Sequence, residues 1–129
     1  MGGLLASLPA HANNILIGFV LGVSDGDTID VLDGQLQQRK VRVIGIDAPE
    51  KAQVLGDKSK ADLAQLVFNK DVGIEWNKPD RYQRIVGKIK VQPPDCPTCA
   101  QTLDAGLAQV ATGMAWWYRE YAREQSSFR

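Results

Sequence analysis

Two cysteines, one histidine and no net charge set the first limits on this chain of 129 residues. With so few nitrogen and sulfur ligands, a four-coordinate structural zinc site cannot be assembled. Charge is balanced, 15 basic against 15 acidic side chains. That excludes a surface coated in positive potential that clings to any polyanion, so contact with nucleic acid has to come from local clusters. Candidates are Arg39-Lys40-Arg42, Arg81-Arg84-Lys88-Lys90 and Arg119-Arg123-Arg129, each of which also reads as an ordinary solvated face. No stretch approaches the roughly 20 apolar residues of a membrane-spanning helix. Repeats, low-complexity tracts and Pro/Gly/Ser linkers are absent too. A chain of this length then builds one domain around one core.

The start of the chain reads apart from the rest. Residues 1–12 are mostly apolar and close on Ala10-His11-Ala12, the small-residue pattern of a signal-peptidase site. The expectation is a signal-peptide remnant or a disordered start over 1–12, with the domain over 13–129. If the signal is real, the mature protein works outside the cytoplasm, secreted or periplasmic. Both cysteines lie in Cys96-Pro-Thr-Cys99. A thioredoxin-like redox site wants such a pair after a strand and opening a helix, whereas Pro93-Pro94-Asp95 is a loop. A short structural disulfide, or a pair of thiols stapling a loop, is the stronger expectation, and an exported protein favours the disulfide.

Apolar periodicity predicts the elements. Residues 15–23 form a β-branched and aromatic run, expected as a buried strand. Asp33-Gly34, flanked by residues 29–32 and Leu36, is a hairpin signal of the two-residue type. Val41, Val43, Ile44 and Ile46 predict a strand apolar on both faces, as in a sheet covered on both sides. Over 57–70 the pattern turns helical: Ala61, Leu63, Ala64, Leu66 and Val67 make one stripe, and Ser59-x-x-Asp62 reads as a capping box. Residues 72–76 and 85–91 return to strand. Thr98-x-x-Gln101 is expected to cap a second helix with Leu103, Leu107 and Val110 on one face, closed by Gly113. Residues 114–118 are expected to pack back on the body, and 118–125 can start a third helix. Five short strands with a helix between the third and fourth, and helices at the end, predict an α+β, mainly β domain: a five-stranded Greek-key barrel of the OB-fold type.

Three segments carry the chemistry. In Asp25-Gly-Asp-Thr28 an extended backbone would project Asp25 and Asp27 to the same side. Like carboxylates so close need a cation or donors, and an oxygen-only set suits calcium or magnesium. Alone, the segment is equally a polar turn. In Arg42-Val-Ile-Gly-Ile-Asp47-Ala-Pro-Glu50 a charge sits inside an apolar run, which is costly unless it is paired or lines a site. Strict alternation puts Arg42 and Asp47 on opposite faces, unless Gly45 makes a bulge or the strand ends early. In Asp80-Arg-Tyr-Gln-Arg84 two planar guanidiniums, Arg81 and Arg84, match phosphate oxygens, and the Tyr82 ring can stack on a base.

In this order, from about Gly22 to Tyr118, the segments resemble the staphylococcal nuclease (thermonuclease) family, whose Gly-x-Ala motif near the end is Gly113-Met-Ala115. The resemblance implies an OB barrel with three helices and a calcium-dependent nuclease acting on DNA and RNA without sugar preference, leaving 3′-phosphate ends. It implies calcium held by Asp27, Asp47 and the carbonyl of Ala48, with Asp25 supporting the site. It implies Arg42 and Arg84 on the scissile phosphate, Glu50 as general base, and Arg81 and Tyr82 on the substrate. A monomer with no membrane association is expected.

Departures from the family pattern are Ala48 for a threonine, Gln83 for a glycine, a short lysine-poor loop over 51–58 and the Cys96–Cys99 insertion. Against the family pattern the final helix is expected to be incomplete, with lower stability or a missing tail. The alternative reading is an OB-fold nucleic-acid-binding module without turnover. Thiol–disulfide exchange through Cys96 and Cys99 is a third.

Overall fold

Five short segments rich in Val and Ile bury alternate side chains and close on one another as a barrel. The computed structural model describes residues 14–50, 53–79, 82–96 and 98–117, and of Lys78 only the backbone. Strand β1 spans Asn14–Asp25, β2 Thr28–Leu32, β3 Gln38–Val43, β5 Asp71–Pro79 and β6 Ile85–Val91. They pair in the order β3-β2-β1-β5-β6, and a parallel β3–β6 ladder, Val41 opposite Ile85 and Val43 opposite Gly87, closes the ring. The remaining ladders of the ring are antiparallel. Between β3 and β5 come the two-residue β4, Ile46–Asp47, and helix α1, Gly56–Val67. After β6 follow β7, Leu103–Asp104, helix α2, Ala105–Ala111, and β8, Trp116–Trp117, which pairs with β4.

The core shows why these residues make these strands. In β6, Ile85, Gly87, Ile89 and Val91 point inward and are buried, while the residues between them are partly exposed. Val20, Ile29, Val31, Val41, Val43 and Ile74 fill the barrel, and Leu63 and Val67 of α1 and Ala105 of α2 join the same cluster. The OB-type barrel and the order of strands and helices therefore agree with the sequence reading. Among the described residues no helix is long and apolar enough to cross a membrane. Residues 1–13 and 118–129, including the expected signal remnant and third helix, lie outside the described residues.

Several local expectations are corrected. Strand β1 is not buried on both faces: Ile15, Ile17, Phe19 and Leu21 are exposed on its outer side. An unbroken apolar run imitates two-sided burial, but only alternate residues face the barrel interior. The strand after residue 41 stops at Val43, so its apolar run is divided between β3, a turn and β4. Asp33-Gly34 lies in a five-residue connection between β2 and β3, not a two-residue turn. Asp33 Oδ1 accepts from the backbone N–H groups of Gln35 and Gln37, both at 2.9 Å, and the loop closes around that carboxylate.

Both capping expectations also fall. Helix α1 begins after Leu55, in the left-handed region with φ 69° and without a side-chain cap, while Ser59 is buried inside the helix. Helix α2 is capped by Asp104, whose carboxylate accepts from the Leu107 N–H, and not by Thr98. Leu103 is held in β7 by pairing with Val91, so the helix cannot start there. Its buried face is Ala105, Gly106 and Gln109, while Leu107 is exposed. The chain turns at Gly113 just past α2, as expected. Cys96 and Cys99 form the short disulfide, with no free cysteine left.

Candidate active site

The first carboxylates come from a hairpin tip. Asp25 ends β1 and is registered against Thr28 at the start of β2, so Gly26 and Asp27 are the turn between them. Proximity of Asp25 and Asp27 therefore arises from a tight turn and not from an extended strand. The Asp27 N–H donates to Asp25 Oδ1 at 3.3 Å. Burial, reinforced by the hydrogen bond and negative charge of Asp27, pushes the Asp25 carboxyl above its ordinary range. Asp27 itself is buried, with Oδ1 accepting from the Thr28 hydroxyl at 2.8 Å and Oδ2 from the Ala48 N–H at 2.9 Å. Its backbone carbonyl accepts from Val43 N–H, tying the tip to the end of β3.

Arg42 joins this tip to the next segment. It lies on β3 directly opposite Thr28. Nη1 donates to the carbonyls of Val43 at 3.0 Å and Ile46 at 2.9 Å, bridging the turn between β3 and β4. Nη2 lies 3.6 Å from Asp27 Oδ2 and 3.4 Å from Asp47 Oδ1. The expected conflict of faces is resolved because Ile44 and Gly45 form a turn, with Gly45 at φ 80°, where glycine carries no Cβ penalty. Of the options left open by the sequence, the early end of the strand is the one found.

A third contact holds the tip from behind. A Cβ on Gly26 would lie 1.8 Å from Ser59 Oγ, so only glycine lets the hairpin approach α1 this closely. Ser59 Oγ donates to the Met114 carbonyl at 2.7 Å. Gln109 of α2, fully buried, donates through Nε2 to the carbonyls of Gly26 at 2.9 Å and Ser59 at 3.1 Å. Its Oε1 has no hydrogen-bond partner among the described residues. Sequence reading missed both Ser59 and Gln109 as supports. The available signal was a glutamine four residues after Ala105, on the apolar face of a helix, where an amide needs partners.

The remaining expected residues surround this centre. Glu50 is exposed three residues beyond Asp47, its N–H donating to Gln53 Oε1 at 2.6 Å. Arg84 directly precedes β6, whose first residue is registered against Val41, the neighbour of Arg42. Its guanidinium carbon lies 5.4 Å from the centroid of the Tyr82 ring, which is itself exposed. Arg81 lies outside the described residues. Asp25, Asp27, Arg42 and Asp47 are thus brought together, with Glu50 and Arg84 on adjoining segments.

Two of the carboxylates present oxygen donors, the ligand type that hard cations take. Carboxylates of Asp27 and Asp47 share one guanidinium nitrogen, and Asp25 adds a third acidic group, so negative charge exceeds positive at the tip. Among the described residues no three acidic, histidine or cysteine side chains converge so as to hold a metal ion. A site with two carboxylates leaves other positions to water and phosphate oxygens, a pattern suited to oxygen-liganded divalent ions that act together with a phosphate substrate.

Known proteins are similar to this chain in sequence. The family described as Staphylococcal nuclease homologue matches residues 40–128. Protein ParB of Escherichia coli is 39% identical over 120 residues, covering 93% of this chain and 66% of its own length. Micrococcal nuclease of Shigella flexneri is 38% identical over 122 residues, 93% of this chain and 67% of its own length. An uncharacterized endonuclease of Haemophilus influenzae is 38% identical over 105 residues, 81% of this chain and 54% of its own length. The chain spans between about half and two thirds of these relatives.

Proposed function

The chain belongs to the staphylococcal nuclease homologue family, and from that premise we propose a calcium-dependent nuclease that hydrolyses phosphodiester bonds of DNA and RNA, leaving 3′-phosphate ends. The observation that carries this reading is the Arg42 guanidinium, fixed by two backbone carbonyls and set between the carboxylates of Asp27 and Asp47. Asp27, Asp47 and the Ala48 carbonyl would hold the ion, with Asp25 behind them. Bound there, calcium would supply Lewis-acid stabilisation of charge on a phosphate oxygen.

The chain's own residues do the rest. Arg42 and Arg84 bind the scissile phosphate, and preorganised donors gain most when negative charge builds on its oxygens. Glu50 takes a proton from the attacking water, a contribution of roughly 10² to 10⁴ in rate. Water attacks phosphorus, the bond to the 5′ oxygen breaks, that oxygen takes up a proton from solvent and leaves as a hydroxyl, and phosphate stays on the 3′ side. Arg81 and Tyr82 hold the neighbouring strand. Export is part of the proposal, supported by the disulfide, and so is a monomeric state.

The test is release of acid-soluble nucleotides from plasmid DNA and RNA, with calcium and with chelator, followed by end-group assignment. Expected are calcium-dependent cleavage of both polymers and 3′-phosphates. Cleavage unaffected by chelator would remove the ion from the proposal. Gel retention with no cleavage would leave a binding module in its place.

A further inference from the structure

Beside the candidate site lies a groove of about 550 Å³ that none of the assigned roles uses, lined by Pro49, Gln53, Val54, Leu55, Gly113 and Trp116. We infer that it is a nucleobase subsite, with the Trp116 indole as the stacking surface for an unpaired base next to the cleaved linkage. This rests on the nuclease reading and deepens it.

Register places the indole. In the β4–β8 ladder Ile46 opposes Trp117 and Asp47 opposes Trp116. Ile46 is fully buried and Trp117 packs against the core, which defines the inner face of this small sheet. Asp47 and Trp116 therefore rise together from the outer face, and directly opposed residues have Cβ atoms only about 5 Å apart. A candidate metal carboxylate and a half-exposed indole are side by side.

The groove's chemistry selects the occupant. Among the described residues its lining carries no formal charge. Val54 is 87% exposed and Leu55 53%. Leu55 also holds φ 69°, a region costly for leucine, just before α1. Strain of that kind gathers at ligand-binding positions. The volume falls within the range of small-molecule sites, roughly 300–1,000 Å³. A flat, neutral group with apolar faces and polar edges fits such a lining. Gln53, whose Oε1 is engaged by the Glu50 N–H, offers Nε2 to a base edge. A phosphate placed on Arg42 carries bases on either side of it, so the strand itself delivers the group. Stacking on an aromatic face accepts any base.

The experiment compares Trp116→Leu and Trp116→Phe with the unaltered chain on a single-stranded oligonucleotide. Leucine preserves apolar volume without an aromatic face, and phenylalanine preserves the face. Expected is a KM raised about 10-fold by leucine, with kcat little changed, and near-native KM with phenylalanine. A second arm irradiates a 5-iodouracil oligonucleotide with the protein in chelator and maps the crosslink, expected on Trp116. Equal KM in both variants, or crosslinks only elsewhere, overturns the subsite, including the case in which the groove holds a segment of the chain itself. Absence of cleavage by the unaltered chain sinks the nuclease reading instead, while the crosslink still decides the subsite.

Discussion

Arg42 is the side chain on which the site turns, and a lysine cannot take its place. The planar fork reaches two carbonyls with one nitrogen and two carboxylates with the other, whereas an ammonium is a point charge with different reach. Arg42→Lys is expected to destabilise the fold by about 1–3 kcal/mol in urea unfolding and to lower cleavage by at least about 100-fold. Asp33 gives a prediction in pH. The Gln37 N–H first, then that of Gln35 and the Arg39 guanidinium, hold its carboxyl below the usual carboxylate range. A folded value below the unfolded one means that ionised Asp33 stabilises the fold above about pH 4 and loses that contribution as pH falls. Asn keeps an oxygen for both N–H groups but cannot titrate. Tm of the unaltered chain minus that of Asp33→Asn should be positive at neutral pH and shrink steadily in acid. A difference independent of pH would refute the assignment. Arg42 was legible because a charge in an apolar run needs a reason. The loop-closing role of Asp33 was not, because Asp-Gly signals a turn without specifying which backbone groups the carboxylate will hold.

Turns and caps decide the geometry between these residues, and they are where sequence periodicity fails. Ser59-x-x-Asp62 has the spacing of a capping box, yet Ser59 lies inside α1 and serves the hairpin tip and the Met114 carbonyl instead. Pairing of Leu103 with Val91 moved the start of α2 to a cap at Asp104. Such long-range demands leave no local trace. The alternation rule separated Arg42 from Asp47, and the turn at Ile44 and Gly45 reunited them. The hairpin tip offers a direct test. Gly26→Ala forces a methyl against Ser59 Oγ, and overpacking of this kind costs about 1–3 kcal/mol. Activity should fall further than stability explains, because Asp25 and Asp27 move with the turn. Adding Ser59→Ala removes the 1.8 Å contact but leaves Ala48 Cβ at 2.8 Å and Ser59 Cβ at 2.9 Å. Rescue in the double variant is therefore expected to be partial, and full recovery of both Tm and kcat would show that the crowding matters less than the coordinates imply.

The barrel was legible because runs rich in Val and Ile recur along the chain, with alternate burial clearest in β6, and because the three motifs fall at ends and turns where such a fold gathers them. Its outer surface was not: the exposed stripe of β1 has the same composition as a buried strand. Charge at this scale leads to the last prediction. Of the basic cluster near β3, Lys40 pairs with Asp30 at 3.0 Å, Arg39 with Asp33 at 3.4 Å, and Arg42 with Asp27 and Asp47. Lys40 and Arg39 are directed toward the protein's own carboxylates, consistent with a formal net charge of zero. Phosphate contact then falls chiefly to the proposed set Arg42, Arg81 and Arg84. Each phosphate neutralised on a single strand contributes about −0.7 to the slope of log affinity against log salt, so two phosphates, the scissile one on Arg42 and Arg84 and a neighbour on Arg81, give an expected slope of about −1.4. Binding to single-stranded DNA in chelator, measured by anisotropy from low to physiological salt, gives that slope. A value near −5 or steeper would require a broad basic face, and substrate binding would then depend on far more of the surface than this one pocket.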